Sequence, residues 1–173
     1  MPPSFLISEN CVPYGDEIAQ VTREAFAARY GTGDAEAKLI AALRADSAVV
    51  IERAALVGGK IAAHVMLSRV AADPPTRAIA ALAPVSTRID LQGQGIGTAL
   101  IRVGLHACRA QGIDIAVVLG DPAYYACFGF TAGAGRLFDC PYSSPHFQAL
   151  GVRDDALKGG PWRLTYPRAF EQA

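Results

Sequence analysis

The feature that most constrains the fold is a glycine-rich segment placed between a strand pattern and a helix pattern. Residues 92–97 read Gln-Gly-Gln-Gly-Ile-Gly; the apolar stretch 78–86 precedes them, and after Gly97 apolar residues recur at three- and four-residue steps. Glycines allow a sharp turn and a close approach of the backbone to a ligand. The free amides and the positive dipole end of a helix N-terminus attract phosphate. The segment therefore predicts a phosphate-binding turn.

Three known phosphate-binding patterns can be compared with this segment. A nucleotide-binding P-loop needs a lysine after its last glycine, and none follows here. A dinucleotide-binding fingerprint needs a third glycine, but the required position is Thr98 when counted from Gly93 and Leu100 when counted from Gly95. The pattern [Q/R]-x-x-G-x-[G/A] is matched by Gln92–Gly97 at every specified position. The third pattern is therefore the one that fits.

The rest of the chain alternates strand and helix patterns, which predicts one α/β domain over residues 1–173. We expect helices near 16–29 and 34–44, with Asp16 and Asp34 as N-caps, and a third helix after Gly97 that ends at Gly112. The predicted strands are 5–7, 48–57, 61–70, 78–86, 113–119, 147–152 and 162–166, and the nearly continuous apolar run 113–119 predicts a strand buried on both faces. Asp121-Pro122 predicts a short capped helix ending near Phe128-Gly129-Phe130, and residues 133–145 give no clear pattern.

Composition and charge exclude several classes of partner. Sixteen basic and sixteen acidic residues leave no net charge, which argues against nucleic acid and acidic membrane surfaces. The four cysteines and three histidines lack metal-site spacing, so we expect no metal and mostly buried, reduced thiols. No apolar run reaches membrane-spanning length, and the first ten residues lack a secretory signal pattern. We therefore expect a cytoplasmic protein.

Taken together, these motifs resemble the GNAT superfamily of N-acetyltransferases. Gln92, Gly95 and Gly97 fill the family's pyrophosphate signature, and Tyr125–Phe130 is similar to its Y-x-x-x-G-F element. A strand before the signature and another after the following helix are in the family's order. The run Gly120–Tyr125 and the C-terminal tail further resemble a bacterial subgroup known only as predicted N-acetyltransferases. The resemblance implies a mixed, twisted sheet of six to seven strands with helices on both faces.

The resemblance also implies a donor, acetyl-coenzyme A, and a set of residues that bind it. Backbone amides of the turn would hold the pyrophosphate, and the end of the preceding strand would pair with the pantetheine arm. The amide near Val85 would face the thioester carbonyl. Asp121 stands where many relatives place an Asn near the pantetheine. The implied donor-binding residues are Val85, Ser86, Thr87, Gln92, Gly93, Gln94, Gly95, Ile96, Gly97, Thr98 and Asp121.

Tyr125 is the implied general acid, which would protonate the leaving thiolate. Direct attack by an amine requires no covalent enzyme intermediate, so Cys127 is a weaker candidate as a nucleophile. The sequence departs from the family at the strand before the signature, because residues 76–85 contain no Asp or Glu. The general base is therefore left open among water and four side chains: Glu24, Asp34, Glu36 and His64.

We therefore predict an enzyme that moves an acetyl group from acetyl-coenzyme A to a primary amine. The alternative is a non-catalytic acyl-coenzyme A-binding module that regulates a partner and does not need Tyr125. The acceptor, a small molecule or a peptide amine, is not identified by the sequence; polyamines, amino acids, aminoglycoside-like amines, peptide N-termini and protein lysines all stay open. A homodimer formed through the C-terminal strands is a further expectation.

Overall fold

A mixed sheet of eight strands forms the centre of the structure, a computed structural model that describes residues 1–173. The strands are β1 (Leu6–Ser8), β2 (Val49–Val57), β3 (Lys60–Asp73), β4 (Ile79–Thr87), β5 (Ile115–Leu119), β6 (Phe138–Asp139), β7 (Phe147–Gly151) and β8 (Trp162–Thr165). Their order is β1-β2-β3-β4-β5-β7, and β8 joins the far end of β3 and carries β6 at its other edge. All neighbours are antiparallel except the β4–β5 and β6–β8 pairs.

Helices cover both faces of this sheet, as the resemblance implied. They are α1 (Gly15–Tyr30), α2 (Asp34–Ala45), α3 (Ile96–Ala110), α4 (Pro122–Tyr125) and α5 (Ala132–Gly135). Leu100, Ile101 and Cys108 of α3 pack against β2, β3 and β4 on one face. Ile18 of α1 and Leu43 of α2 pack with Met66 on the other face. Burying these side chains removes apolar surface from water, which is the main force that fixes the helices on the sheet.

The central parallel pair of strands separates partway along its length. β4 and β5 are paired only at Ile79–Ile115, Ala80–Ala116 and Ala81–Val117. Beyond this point β4 continues to Thr87 with no partner strand on the β5 side. A second irregularity lies in the same stretch, where Ala83 and Pro84 together oppose the single residue Met66 of β3. This arrangement is a β-bulge, and such bulges bend a strand and redirect its side chains.

Three details of the secondary structure differ from the sequence predictions. The sheet has eight strands, because a two-residue strand, β6, lies in the segment that gave no pattern; two residues are too few to show a period. The N-caps of α1 and α2 are Tyr14 and Gly33, which lie two residues and one residue earlier than expected. Asp16 and Asp34 therefore lie in the first turns of these helices, where a negative charge interacts favourably with the helix dipole.

Burial is also lower than predicted at two kinds of position. Leu119, at the end of a strand expected to be buried on both faces, is 52% exposed because β4 has already diverged from β5. All four cysteines are free, as expected, but only Cys11 and Cys108 are buried; Cys127 is exposed and Cys140 is half-buried. None of the helices has both the length and the apolar character needed to span a bilayer.

Candidate active site

A cavity of about 890 Å³ opens where β4 and β5 separate. One wall is the β4 segment 81–87, and the opposite wall is formed by residues 117–120 at the end of β5. The glycine-rich turn, α4, α1, α2 and the C-terminal tail complete the lining of the cavity. The volume lies in the range typical of sites for cofactors and other small molecules.

The glycine-rich turn supplies a row of backbone amides without partners. Gly93 and Gly95 have φ values of +74° and +81°, a left-handed conformation that side chains rarely adopt. The turn leads directly into α3, whose N-cap Gly95 provides no side-chain cap. The amides of residues 93–98 donate no hydrogen bond within the protein. Unpaired amides at the N-terminus of a fifteen-residue helix form a site suited to a phosphate group.

The β4 wall offers a second set of backbone groups. Because β5 has moved away, residues 82–87 have one edge on which no strand makes ladder hydrogen bonds. Such an edge can pair with an extended ligand as it would with a further strand. Ser86 is buried, and its hydroxyl lies 3.0 Å from that of Thr22 on α1, which fixes this part of the strand against the helix.

Tyr125 lies at the end of α4, with its ring in an aromatic group. Asp121 caps this helix by accepting a hydrogen bond of 3.0 Å from the Ala123 amide, as the sequence predicted. The Tyr125 ring makes edge contacts with Tyr124 and Phe130, at centroid distances of 5.0 Å and 5.8 Å. Burial raises the pKa of Tyr125 above its ordinary value, and the nearby hydroxyl of Tyr124 raises it further. The phenol therefore keeps its proton at neutral pH.

The structure brings almost all the predicted site residues to this one cavity. Tyr125, Asp121, Val85, Ser86, Thr87, Gln92, Gly93, Gly95, Ile96, Gly97 and Thr98 all line it. Gln94 does not: its side chain donates a hydrogen bond of 3.2 Å to the backbone oxygen of Asp90. The side chain of Gln92 donates to the backbone oxygen of Thr87 at 3.1 Å, which joins the turn to the end of β4.

Of the four side chains considered as a general base, only Glu36 lines the cavity. Glu24 is exposed and bonded to Gln20, and Asp34 is exposed and paired with Arg23. Their positions in α1 and α2 are set by helix geometry, which directs both carboxylates to solvent.

His64 is fully buried in the sheet, outside the cavity, with its Nε2 2.8 Å from Glu52 Oε1. Burial lowers the pKa of His64 below its ordinary value. Burial alone would raise the pKa of Glu52, but hydrogen bonds from His64 and Arg44 lower it to about 2. His64 is therefore part of a buried polar network and not of the site.

The cavity also has a wall of aromatic side chains that the sequence did not reveal. The rings of Tyr142, Tyr166 and Phe170 line it and contact one another edge-on or tilted, at centroid distances of 4.8 Å, 4.9 Å and 6.3 Å. Phe26, on the apolar side of α1, lines the cavity with Tyr30 and is not part of the core. His146 is exposed outside the cavity.

The structure gives little support to a nucleophilic cysteine or to a metal site. Cys127 is exposed, does not line the cavity and has its backbone oxygen bonded to Arg102. No three His, Cys, Asp or Glu side chains come together as a possible metal cluster. The fold and the site thus define an α/β protein whose cavity suits an extended ligand that carries phosphate groups.

Comparison with known proteins assigns the family. The model of the acetyltransferase (GNAT) family matches residues 15–130. The chain is 32% identical over 142 residues to the uncharacterized N-acetyltransferase YhbS of Escherichia coli (strain K12), which covers 80% of this chain and 85% of that protein. The chain belongs to the GNAT family of acetyltransferases.

Two solved structures are similar over nearly the whole chain. The Escherichia coli YhbS structure, in complex with CoA, has a TM-score of 0.88 at 29% identity, covering 99% of this chain and 95% of that one. A GNAT family acetyltransferase from Brucella melitensis, in complex with acetyl-CoA, has a TM-score of 0.80 at 31% identity, covering 96% and 98%. The fold implied by the resemblance is therefore confirmed.

Proposed function

We propose that this chain transfers the acetyl group of acetyl-coenzyme A to a primary amine by direct attack, in the cavity between β4 and β5. The observation that carries the proposal is the unpaired edge of residues 82–87, which leads to the free amides of residues 93–98. A coenzyme A molecule has the same layout, an extended amide-bearing arm that ends in a pyrophosphate. The two relatives solved with CoA and acetyl-CoA support the choice of donor.

The glycine-rich turn holds the pyrophosphate in this proposal. Amides from Gly93 to Thr98 donate to its oxygens, and the dipole of α3 adds a favourable field. Gly97 has no side chain, which allows the turn to lie close to the end of β4: a Cβ at this position would lie 2.8 Å from Thr87 Oγ1. The amide edge near Val85, Ser86 and Thr87 pairs with the pantetheine arm and orients it. Gln94 contributes through its amide alone, since its side chain is engaged elsewhere.

The acyl end of the site needs an oxyanion donor and an acid. Attack of an amine on a thioester places negative charge on the carbonyl oxygen, which an oriented N–H stabilises; loss of one such donor typically costs about 10²–10³-fold in rate. The amide of Val85, next to the β4 bulge, has this role. The hydroxyl of Tyr125 donates its proton to the departing sulfur, and its raised pKa keeps that proton available. The amine nitrogen loses one proton to water as the amide forms, and Tyr125 regains a proton from water, so the reaction yields the acetylated amine and the free thiol of coenzyme A.

The rival proposal is a non-catalytic acyl-coenzyme A-binding module. It accounts for the glycine-rich turn but gives no role to the second half of the cavity. The aromatic wall with Glu36 leaves room for a second reactant beside the donor, which favours the enzyme.

Calorimetric titration with acetyl-coenzyme A tests the donor site. The parent protein is compared with Gly95→Glu, which would place a carboxylate among the pyrophosphate-binding amides. Gly59→Glu is the matched control, because Gly59 has a similar φ of +78° against +81° and also has open space around it, but lies in the β2–β3 turn. We expect micromolar binding by the parent and by the control, and none by Gly95→Glu. Absence of binding by the folded parent contradicts the proposal.

Three further predictions accompany this function: residues 1–173 act as one acyl-coenzyme A N-acyltransferase domain, the protein works in the cytoplasm, and two copies form a homodimer. The free edge of β6, which pairs only with β8, supports a dimer through the C-terminal strands. Light scattering of the purified protein measures this; a monomeric mass at micromolar concentration contradicts the dimer.

A further inference from the structure

The charged side chains that line the cavity are few. Only three charged residues line the whole cavity: Arg29, Glu36 and Asp121. Asp121 is engaged in capping α4, and the guanidinium of Arg29 lies over the Tyr30 ring, 5.4 Å from its centroid. Glu36 is the remaining charged side chain.

One carboxylate oxygen of Glu36 is buried without any hydrogen-bond partner. Glu36 lies in the first turn of α2, and its Oε2 is inaccessible to solvent while no group of the protein donates to it. A buried, unsatisfied oxygen of a charged carboxylate costs free energy, roughly 1–3 kcal/mol or more. Because Oε2 is closed to solvent, a ligand in the cavity reaches this oxygen only after the Glu36 side chain rotates; a ligand donor then satisfies it, and a carboxylate favours a positively charged donor.

The wall of aromatic side chains lies next to this carboxylate. Leu39, one turn further along α2, also lines the cavity and belongs to the apolar cluster against which Phe170 packs. Phe170 in turn contacts Tyr166 and Tyr142. These rings supply an apolar, ring-lined surface, and ring faces also attract a cation. Arg29 is the only basic side chain that lines the cavity, and its guanidinium is stacked on the ring of Tyr30.

We propose that Glu36 binds the ammonium group of the acceptor, which loses one proton to water before its nitrogen attacks the thioester, and that Tyr142, Tyr166 and Phe170 hold an apolar or aromatic body attached to it. This inference rests on the proposed function and narrows its acceptor to small arylalkyl or alkyl amines. An acceptor with a carboxylate beside the amine would bring that charge against Glu36, and the one cation that lines the cavity, Arg29, is already engaged with the ring of Tyr30. A polyamine would place its second ammonium against ring faces alone, which attract a cation more weakly than a carboxylate does.

Two amines that differ by one carboxylate provide a sharp test. Thiol release from acetyl-coenzyme A is measured with 2-phenylethylamine, L-phenylalanine and spermidine as acceptors. We expect kcat/KM for 2-phenylethylamine to exceed the other two by at least about tenfold, since a like charge at a buried site costs more than about 1.4 kcal/mol. Equal or higher kcat/KM for L-phenylalanine or spermidine overturns the proposed acceptor class.

The role of Glu36 is tested with Glu36→Gln, which keeps the shape and removes the charge. Glu24→Gln is the matched control, because Glu24 is exposed on α1, outside the cavity. Removing a charge-assisted hydrogen bond lowers kcat/KM for 2-phenylethylamine by ~10–100-fold, mostly through KM, while the affinity for acetyl-coenzyme A stays unchanged. An unchanged KM in Glu36→Gln overturns the assignment.

The outcomes separate this inference from the function on which it rests. If the parent binds acetyl-coenzyme A but acetylates none of the three amines, the acceptor class is wrong and the donor site stands. If the parent does not bind acetyl-coenzyme A, the proposed function itself is wrong. A Tyr142→Ala variant adds an independent measurement: it raises KM for 2-phenylethylamine more than for methylamine, because methylamine has no body to place on the aromatic wall.

Discussion

Gly120 leaves the space that the ring of Tyr125 occupies: a Cβ added to Gly120 would lie 2.5 Å from Cε2 of Tyr125. The glycine follows β5 directly, and the tyrosine ends α4, so the close approach couples the end of a strand to the candidate acid. The glycine does not need a left-handed conformation here, since its φ is not positive. Its lack of a side chain is what sets the position of the phenol.

Gly120→Ala is therefore expected to displace the Tyr125 ring and slow the reaction. A misplacement of about 1 Å at a reacting group can cost ~10²-fold, so we expect kcat to fall by ~10–100-fold. Affinity for acetyl-coenzyme A, measured by calorimetry, should change little, since the turn at residues 92–98 is untouched. Gly15→Ala is the control, because its Cβ would have an ordinary 3.7 Å contact with Arg44. Full activity in Gly120→Ala would show that the ring position is unimportant.

Removing only the hydroxyl of Tyr125 tests its chemical role. Tyr125→Phe keeps the aromatic contacts with Tyr124 and Phe130, so folding and donor affinity should stay as in the parent. General acid catalysis is typically worth ~10²–10⁴-fold, and we expect kcat to fall by at least ~10²-fold. Tyr14→Phe, outside the cavity, is the control. A non-catalytic binding module would keep its affinity for acetyl-coenzyme A after this change. Turnover equal to that of the parent contradicts the assignment of Tyr125 as the general acid.

The pH dependence of kcat in the parent protein tests the protonation state of Tyr125. Because burial raises the pKa of Tyr125 above its ordinary value of 10.0, the phenol stays protonated throughout the neutral and mildly alkaline range. A log kcat profile should therefore show no alkaline loss below about pH 10, the value of an unperturbed tyrosine. A fall in kcat between pH 8 and 9 that Tyr125→Phe abolishes would contradict the raised pKa.

The buried pair His64–Glu52 makes stability depend on pH. The folded pKa of His64 lies below its ordinary value of 6.5, so on acidification the unfolded chain binds a proton that the folded protein does not. The free energy of unfolding should then fall as pH drops below about 6.5, by at most ~1.4 kcal/mol per pH unit. His64→Gln removes this slope between pH 6.5 and 5, whereas His106→Gln, at an exposed position of α3, keeps it.

Glu52 adds to the acid sensitivity at lower pH. Its pKa is lowered from 4.5 to about 2 in the folded protein, so its contribution is complete above about pH 4.5 and is lost as pH falls toward 2. Urea unfolding of Glu52→Gln and of the parent at pH 2–5 measures this. A parent whose stability is flat between pH 7 and 3 would show that neither shift is present.

Gly135→Ala is expected to destabilise the fold strongly. A Cβ at this position would lie 2.2 Å from the backbone oxygen of Phe147, an atom of β7 that has no freedom to rotate away. Overpacking of this kind typically costs ~1–3 kcal/mol or more. Gly133→Ala, in the same short helix, meets nothing closer than 3.7 Å and serves as the control. Equal thermal midpoints for the two variants would contradict the tight contact between α5 and β7.

The elements that the sequence predicted are those whose signals are local. The glycine-rich turn combines dihedral requirements with a following helix period, and Asp121-Pro122 combines a cap with a favoured first position, so both can be recognised within a few residues. The two-residue strand β6 has no such signal, because its pairing with β8 depends on residues 24 positions away.

The aromatic half of the cavity was not predictable for a related reason. Periodicity placed Phe26 on the apolar side of α1, but it does not say whether that side faces the core or a cavity. Tyr142, Tyr166 and Phe170 are brought together by the packing of the C-terminal tail, and Glu36 of α2 lines the same cavity. Contacts between such distant segments arise from the tertiary fold, and no short motif records them.

The two halves of the site between β4 and β5 are formed by different groups of the chain, one by backbone groups and the other by side chains. Backbone groups of residues 82–87 and 93–98 line the donor half, and these groups are the same whatever side chains the chain carries there, provided that the turn glycines remain. The other half consists of side chains, Glu36 and the aromatic wall. A population of such chains can thus accumulate substitutions that change the amine it selects while the donor stays constant.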